Sequence, residues 1–357
     1  MFRQLRTAID WRLMGAVLLL VASSLFMLAS INSDVFVRQV LWVGIGLCFA
    51  LLISVIDIRS FISHRGFIIV LYGLVVILLL ATLFFAPEVK GNRAWIMIGS
   101  FQFQAAELAK VVLVLVLSFF FSRHHVRIAH WGVLVGSFLL SAGFAFFIAL
   151  QPDLGSAITL ILIWLGFVLL SGIPFRHLLF LLGICVIAGV GMWHGVLQDY
   201  QKDRILSVFS PSVDPLGTGY NVIQSKIAVG SGGLTGKGFG QGTQVQLGFL
   251  PEAHNDFIFS AIIEEGGIVF GVIVLIGLLL LITRLIQMGM KSSTSLGMFL
   301  CLGGGILFFI HVVMNIGSAL GLLPVIGITL PFVSYGGSSI IMSFILVGII
   351  QSYYAHR

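Results

Sequence analysis

Four polar clusters interrupt an otherwise apolar chain, and their residue types suit acid–base and ion-pair chemistry. Pro251-Glu252-Ala253-His254-Asn255-Asp256 delivers a carboxylate to the mouth of the apolar run that begins Phe257-Ile258-Phe259. Apolar surroundings raise a carboxylate's pKa toward the range useful to a general base. Asp256 is therefore the candidate base, with His254 beside it, and a helix N-cap is its other reading. Glu107 and Lys110 stand three apart in Ala105-Ala106-Glu107-Leu108-Ala109-Lys110, a spacing that puts both on one helix face. They either neutralise each other or present a cation to an anionic substrate. Asn92-Arg93-Ala94-Trp95 adds Arg93 as a second cation and Trp95 as an interfacial aromatic anchor. Asp153, in Gln151-Pro152-Asp153-Leu154-Gly155-Ser156, suits an N-cap and would face the same side. In Pro331-Phe332-Val333-Ser334-Tyr335-Gly336-Gly337-Ser338-Ser339, small residues either permit close helix packing or line a polar groove, with Ser334 a candidate donor. An ionisable group inside a membrane span costs ~2.5–3.5 kcal/mol on insertion scales, so each is a functional candidate by default.

The cluster that ends in Asp256 closes a polar, glycine-rich segment, residues 197–256, the one long polar stretch of the chain. Loops beyond about 12–15 residues are usually functional or disordered. Its run Gly236-Lys237-Gly238-Phe239-Gly240-Gln241-Gly242 lacks the Gly-Lys-Ser/Thr ending of a nucleotide loop and follows no strand pattern. A nest of backbone N–H groups around a pyrophosphate stays open. Glu264 and Glu265, about two turns past Asp256, point in different directions on a helix, so at most one can share its cavity. His124, His125 and His130 lack the spacing of a helical metal pair and suit interfacial solvation.

The elements that must position these groups are membrane helices. The chain has 357 residues, 59% hydrophobic and 9% charged, with a mean hydropathy of +1.14. A soluble domain carries roughly 25% charged residues, so this is an all-α polytopic integral membrane protein. A bilayer needs about 20 apolar residues per helix, and such runs lie near 12–31, 35–56, 66–86, 104–122, 130–150, 154–171, 176–196, 257–284, 295–320 and 331–354. They form one transmembrane domain of about ten spans. The first run exceeds the ~7–15 residues of a cleaved signal's apolar core and reads as a span. Pro174 favours a break between the sixth and seventh. Cys48, Cys185 and Cys301 lie far apart in apolar runs and read as small buried hydrophobes. Lys and Arg mark the cytoplasmic side of short loops. With the N-terminus inside, that side holds Arg3, Arg6, Arg12, Arg59, Arg65, Arg123, Arg127, Arg176, Arg284, Lys291 and Arg357, against Arg38, Lys90 and Arg93 opposite. Both termini are then cytoplasmic and the long loop faces outward. The net charge of +6 suits anionic membrane lipid and needs no nucleic acid.

The chain resembles the SEDS (shape, elongation, division, sporulation) family of bacterial membrane proteins over essentially its whole length. The most specific run is Ile223-Gln224-Ser225-Lys226-Ile227-Ala228-Val229-Gly230-Ser231-Gly232-Gly233-Leu234-Thr235-Gly236-Lys237-Gly238, with Gly242-Thr243-Gln244 and Phe249-Leu250-Pro251-Glu252. These motifs resemble the elongation branch. Asn255 departs from the family, where Thr is expected. The resemblance implies a peptidoglycan glycosyltransferase of the bacterial cytoplasmic membrane. Its substrate would be lipid II, the undecaprenyl-pyrophosphate disaccharide-pentapeptide, polymerised into β-1,4-linked strands during cell elongation. It implies Asp256 as the essential acid, Glu107 and Lys110 as a supporting polar pair, and Asp153 as a further acid. The expected partners are a class B penicillin-binding transpeptidase and other elongation-complex proteins.

The residue chemistry suits that reaction, which needs a base for the acceptor hydroxyl and positive charge on the departing pyrophosphate. Lys110 and Arg93, with Lys226 or a divalent cation (Mg or Mn), are candidates for the second task. A lipid II flippase or transporter is the first alternative. Polar groups gathered at one face argue against it, since alternating access needs matching groups on the other half. A non-catalytic scaffold of the elongation machinery is the second.

Overall fold

Apolar runs this continuous fold as helices, because a helix satisfies its own backbone polar groups where no water can. The computed structural model describes residues 9–87, 92–98, 101–195, 197, 199–209 and 218–356. Arg3, Arg6, Lys90 and Arg357 of the charge count lie outside them. In chain order the helices are α1 (Trp11–Ile31), α2 (Ser33–Val55), α3 (Arg59–Ser63), α4 (Arg65–Phe85), α5 (Ala105–His124), α6 (Trp131–Ala149), α7 (Leu154–Leu170), α8 (Phe175–Gly195), α9 (Asp199–Phe209), α10 (Thr218–Ser231), α11 (Thr243–Gln246), α12 (Ile258–Met290), α13 (Ser295–Ala319) and α14 (Gly337–Ala355). Among the described residues nine of these, α1, α2, α4, α5, α6, α8, α12, α13 and α14, are long and apolar enough to cross a membrane. Helix α7 is equally apolar at 17 residues. The molecule is a multi-pass membrane protein.

Two features escape a span-by-span reading. Strands β1 (Trp95–Ile98) and β2 (Phe101–Gln104) form an antiparallel hairpin directly before α5, with Trp95 opposite Gln104. The segment 197–256 is not one open loop, since it carries α9, α10 and α11.

Side chains at the end of the bundle away from this segment tie separate helices together. Asp10 caps α1 by accepting from Leu13 N, and Arg284 Nε on α12 donates to it at 3.1 Å. Thr294, the N-cap of α13, bonds Tyr353 of α14 at 3.0 Å. Arg123 Nη2 donates to Ser63 O. His124 and His125 are not simply solvated: their Nδ1 atoms lie 2.9 Å from the Phe120 and Phe121 carbonyls, completing the last turn of α5. Of the cysteines only Cys301 is buried; Cys48 and Cys185 lie on exposed faces, where an apolar helix surface meets no protein.

Helix α12 is broken at Gly267, whose backbone is non-helical at φ 73 and ψ 179. The glycine loop fills the break. Lys237 N and Gly238 N donate to Glu264 O and Glu265 O, while Ile268 N and Val269 N donate to Gly233 O and Leu234 O. The approach is so close that a Cβ on Gly236 would stand 2.1 Å from Glu265 O, at φ +80. Glycine is required there for both reasons.

Gly236→Ala is therefore expected to lower the unfolding temperature in detergent, with backbone strain alone costing on the order of 1–3 kcal/mol. Gly230→Ala is the control, because a methyl there meets nothing within 4 Å, and within a helix it should hold or raise the unfolding temperature.

Candidate functional site

At the end of the bundle bearing the long segment lies a cavity of about 670 Å³, within the size range of small-molecule sites. Asp256, Asp153, Glu107, Arg38 and Arg204 all line it, as do Trp42, Trp95, Gln104, Glu252 and Asn255. The wall is drawn from α2, the β hairpin, α5, α9, the 251–257 turn and the non-helical stretch that leads into α14.

Asp256 sits half-buried in the turn that immediately precedes α12. It does not cap the helix: the N-cap is Phe257, and no side chain closes that end. The turn is held from behind. Asn315 Nδ2 donates to Asp256 O at 3.1 Å, Ser334 Oγ donates to Asn255 O at 2.7 Å, and Tyr335 N donates to His254 O at 2.8 Å. Asn255 Nδ2 donates to Glu252 Oε2 at 2.9 Å, a local bond that keeps the turn closed. With its main chain fixed this way, the Asp256 side chain faces the cavity.

Glu107 and Lys110 form a buried ion pair, Nζ to Oε1 at 2.7 Å. Only Glu107 reaches the cavity lining; Lys110, 2% exposed, lies behind it and also meets His311 Nε2 at 3.3 Å. Asp153 serves two purposes at once. One oxygen caps α7 by accepting from Ser156 N, and the other accepts from Gln104 Nε2 of β2 at 3.0 Å while lining the cavity.

Four other sequence candidates lie outside the lining. Ser334 is 4% exposed and spends its hydroxyl on Asn255 O and Leu330 N, so it supports the site from below. His254 lies 4.0 Å from Glu252 and 5.7 Å, ring to ring, from Tyr335. Arg93 is exposed, although its neighbours Asn92, Ala94 and Trp95 line the wall. Lys226 is exposed on α10 and rests against Gly321. Trp95 faces the cavity, so the interfacial-belt reading gives way to a wall residue.

The glycine run and the start of α11 do gather around anions, but the anions are the protein's own. Glu264 accepts from Lys237 Nζ at 2.7 Å, Gln244 N at 2.9 Å and Val245 N at 3.2 Å. Glu265 accepts from Gly240 N at 3.1 Å and Gln246 Nε2 at 2.8 Å, and Ser30 Oγ also bonds it. Neither glutamate lines the cavity, and the reading of the glycine run as a pyrophosphate nest is overturned, because Gly236, Lys237, Gly238 and Gln241 donate their N–H groups to backbone carbonyls and Gly240 donates its own to Glu265.

Arg38 and Arg204 are the residues that sequence reasoning passed over. Arg38 registers there only as a charge near a helix end, and only packing shows that both line the same cavity as the carboxylates. Among the described residues no group of three or more His, Cys, Asp and Glu side chains is placed to hold a metal ion.

A multi-helix membrane protein with an acid-lined, arginine-flanked cavity at one end is the class that fold and site define. The family model described as "Cell cycle protein", spanning FtsW, RodA and SpoVE, matches residues 3–357, and the chain belongs to that family. The peptidoglycan glycosyltransferase MrdB of Escherichia coli (strain K12) is 36% identical over 348 residues, covering 95% of this chain and 91% of the relative. The probable peptidoglycan glycosyltransferase FtsW of Coxiella burnetii is 34% identical over 323 residues, 88% of this chain and 85% of its own. A chain of a peptidoglycan synthase complex, solved to show how polymerization and crosslinking are coordinated, matches with a TM-score of 0.82 at 33% identity over 97% of both chains. The crystal structure of the rod shape determining protein RodA of Thermus thermophilus matches with a TM-score of 0.70 at 29% identity, over 97% of this chain and 96% of that one.

The buried pair makes a stability prediction. Lys110→Met strands a buried carboxylate and is expected to destabilise the fold by about 3–5 kcal/mol. Adding Glu107→Gln in the same chain should recover most of the loss, read as unfolding temperature in detergent.

Proposed function

We propose that this chain is a peptidoglycan glycosyltransferase that polymerises lipid II into β-1,4-linked strands during cell elongation, with Asp256 as general base. The observation that carries this reading is the cavity itself, where an acid fixed through its backbone shares the lining with two arginines. In the reaction the acceptor sugar's hydroxyl oxygen attacks the anomeric carbon of the donor. The bond from that carbon to the pyrophosphate oxygen breaks, and the hydroxyl proton passes to Asp256. Charge accumulates on the leaving pyrophosphate, and cationic groups positioned where charge develops lower the barrier.

Arg38 and Arg204 take that role in place of Lys110, whose charge Glu107 already balances, and in place of Arg93 and Lys226, which stand outside the lining. Arginine suits it because its planar fork binds phosphate oxygens in pairs. Glu107 and Asp153, fixed by Lys110 and Gln104, would orient sugar hydroxyls. A divalent cation, Mg or Mn, belongs to the same proposal. Carboxylate oxygens are the donors such hard ions take, and pyrophosphate oxygens would complete a shell that the described side chains do not fill.

The setting is the bacterial cytoplasmic membrane, with the cavity on the outer face and both termini cytoplasmic. What supports it is charge: Arg59, Arg65, Arg123, Arg127, Arg176, Arg284 and Lys291 gather at the end opposite the cavity. A class B penicillin-binding transpeptidase is the proposed partner. The match to a chain of a complex that coordinates polymerization with crosslinking favours it.

Reconstituted chain with a crosslinking-dead partner should make glycan strands from purified lipid II, and Asp256→Ala should lower the rate by about 10²–10⁴-fold. Equal strand synthesis by a folded Asp256→Ala would remove this acid as the base. Arg204→Ala should slow strand formation more than Lys226→Ala, and the reverse order would move the pyrophosphate toward α10. Movement of lipid II across vesicles without strand synthesis would favour a transporter.

A further inference from the structure

His311 is a buried imidazole that the reaction scheme above does not use, and its two ring nitrogens make different contacts. It sits on α13, 5% exposed. Nδ1 lies 3.1 Å from Thr329 O, and Nε2 lies 3.3 Å from Lys110 Nζ. A carbonyl oxygen only accepts, so Nδ1 carries the proton. The Lys110 ammonium only donates, so Nε2 presents its lone pair. The contacts leave a single state, the neutral ring protonated at Nδ1. A second proton would set an N–H against the ammonium and break the arrangement.

The same face of α13 reaches the other acid. Asn315, one turn on from His311 and 1% exposed, donates through Nδ2 to Ile328 O at 2.8 Å and to Asp256 O at 3.1 Å. Residues four apart on a helix are neighbours. Both therefore grip consecutive carbonyls of the 328–329 segment, and Thr329 itself lines the cavity.

We infer that His311 is a positioning residue for glycosyl transfer. Its Nε2 lone pair locks the Lys110 ammonium, which holds Glu107 at the cavity wall, in register with an Asp256 turn held by Asn315 from the same helix face. This rests on the glycosyltransferase reading. The substrate does not touch His311, so its loss should lower kcat and leave KM for lipid II nearly unchanged.

Three substitutions separate its two contacts. His311→Asn retains a donor near the Nδ1 position and cannot reach Lys110. His311→Gln places an amide oxygen near the Nε2 position and keeps the lysine contact. His311→Phe keeps ring volume and neither bond. In lipid II polymerisation with the partner present, His311→Asn and His311→Phe should lose on the order of 10–100-fold in kcat, as small misplacements do. His311→Gln should stay close to wild type. A folded His311→Asn with wild-type kcat would overturn the inference, as would a His311→Gln no better than His311→Phe.

Nitrogen-15 spectra of histidine-labelled protein, assigned by difference against His311→Gln, read the ring without any turnover. The expected result is a protonated Nδ1 and a bare Nε2 across the pH range in which free imidazole titrates. A proton on Nε2 in that range would sink the lock even if every enzyme assay behaved as expected. Failure of wild type to polymerise, with Nε2 bare, would instead reject the glycosyltransferase reading and leave the lock in place.

Discussion

Backbone polar groups at membrane depth have to find partners inside the protein, and that constraint explains both irregular stretches on which the site depends. The stretch leading into α14 is non-helical, yet its Leu330, Phe332 and Val333 are buried. Its polar groups are met one at a time. His311 takes Thr329 O, Asn315 takes Ile328 O, Ser24 takes Val333 O at 2.6 Å, and Gln39 takes Ser334 O at 3.2 Å. Once paired, the stretch becomes a rigid strap. It holds the Asp256 turn through Ser334 and Tyr335, and Ser338 at the start of α14 donates to Gln102 O and so holds the β hairpin. The break at Gly267 obeys the same rule, with the glycine loop donating and accepting across it.

This arrangement divides labour among the acids. Glu264 and Glu265 spend their charge on the loop that seals α12 and so shape the scaffold. Glu107 is paired with Lys110 and keeps one edge toward the cavity. Asp153 is shared between a helix cap and Gln104. Asp256 is held through its main chain, by carbonyl contacts from Asn315 and by the bonds to the residues before it. These backbone bonds fix where the acid stands at the cavity wall.

Much of this was legible in the sequence for one reason: charge is conspicuous where water is absent. Asp256, Glu107, Lys110 and Asp153 stood out because each interrupts or opens an apolar run, and all gather at one end of the bundle. The ten apolar helices followed from composition and run length. What stayed hidden depends on which way a side chain turns. Arg38 and Arg204 look like ordinary interfacial charges until α2 and α9 are placed around the cavity. His311, a lone histidine in an apolar helix, reads as a core residue, and only Lys110 and Thr329 on its two sides give it a task. The glycine loop suggested an anion and concealed that the anion was already in the chain. Trp95 was placed in the membrane belt because its strand pairing with the Gln104 position was invisible to a search for helices.

The cavity joins residues from near both ends of the chain. Arg38 and Trp42 on α2 face Gly336, Gly337 and Ser338 at the start of α14. These two helices pack closely enough that a Cβ on Gly348 would stand 2.9 Å from the Ala50 backbone. Synthesis runs from one end to the other, so α2 waits in the bilayer until the last helix emerges. The pocket acquires this wall only once α14 has joined α2.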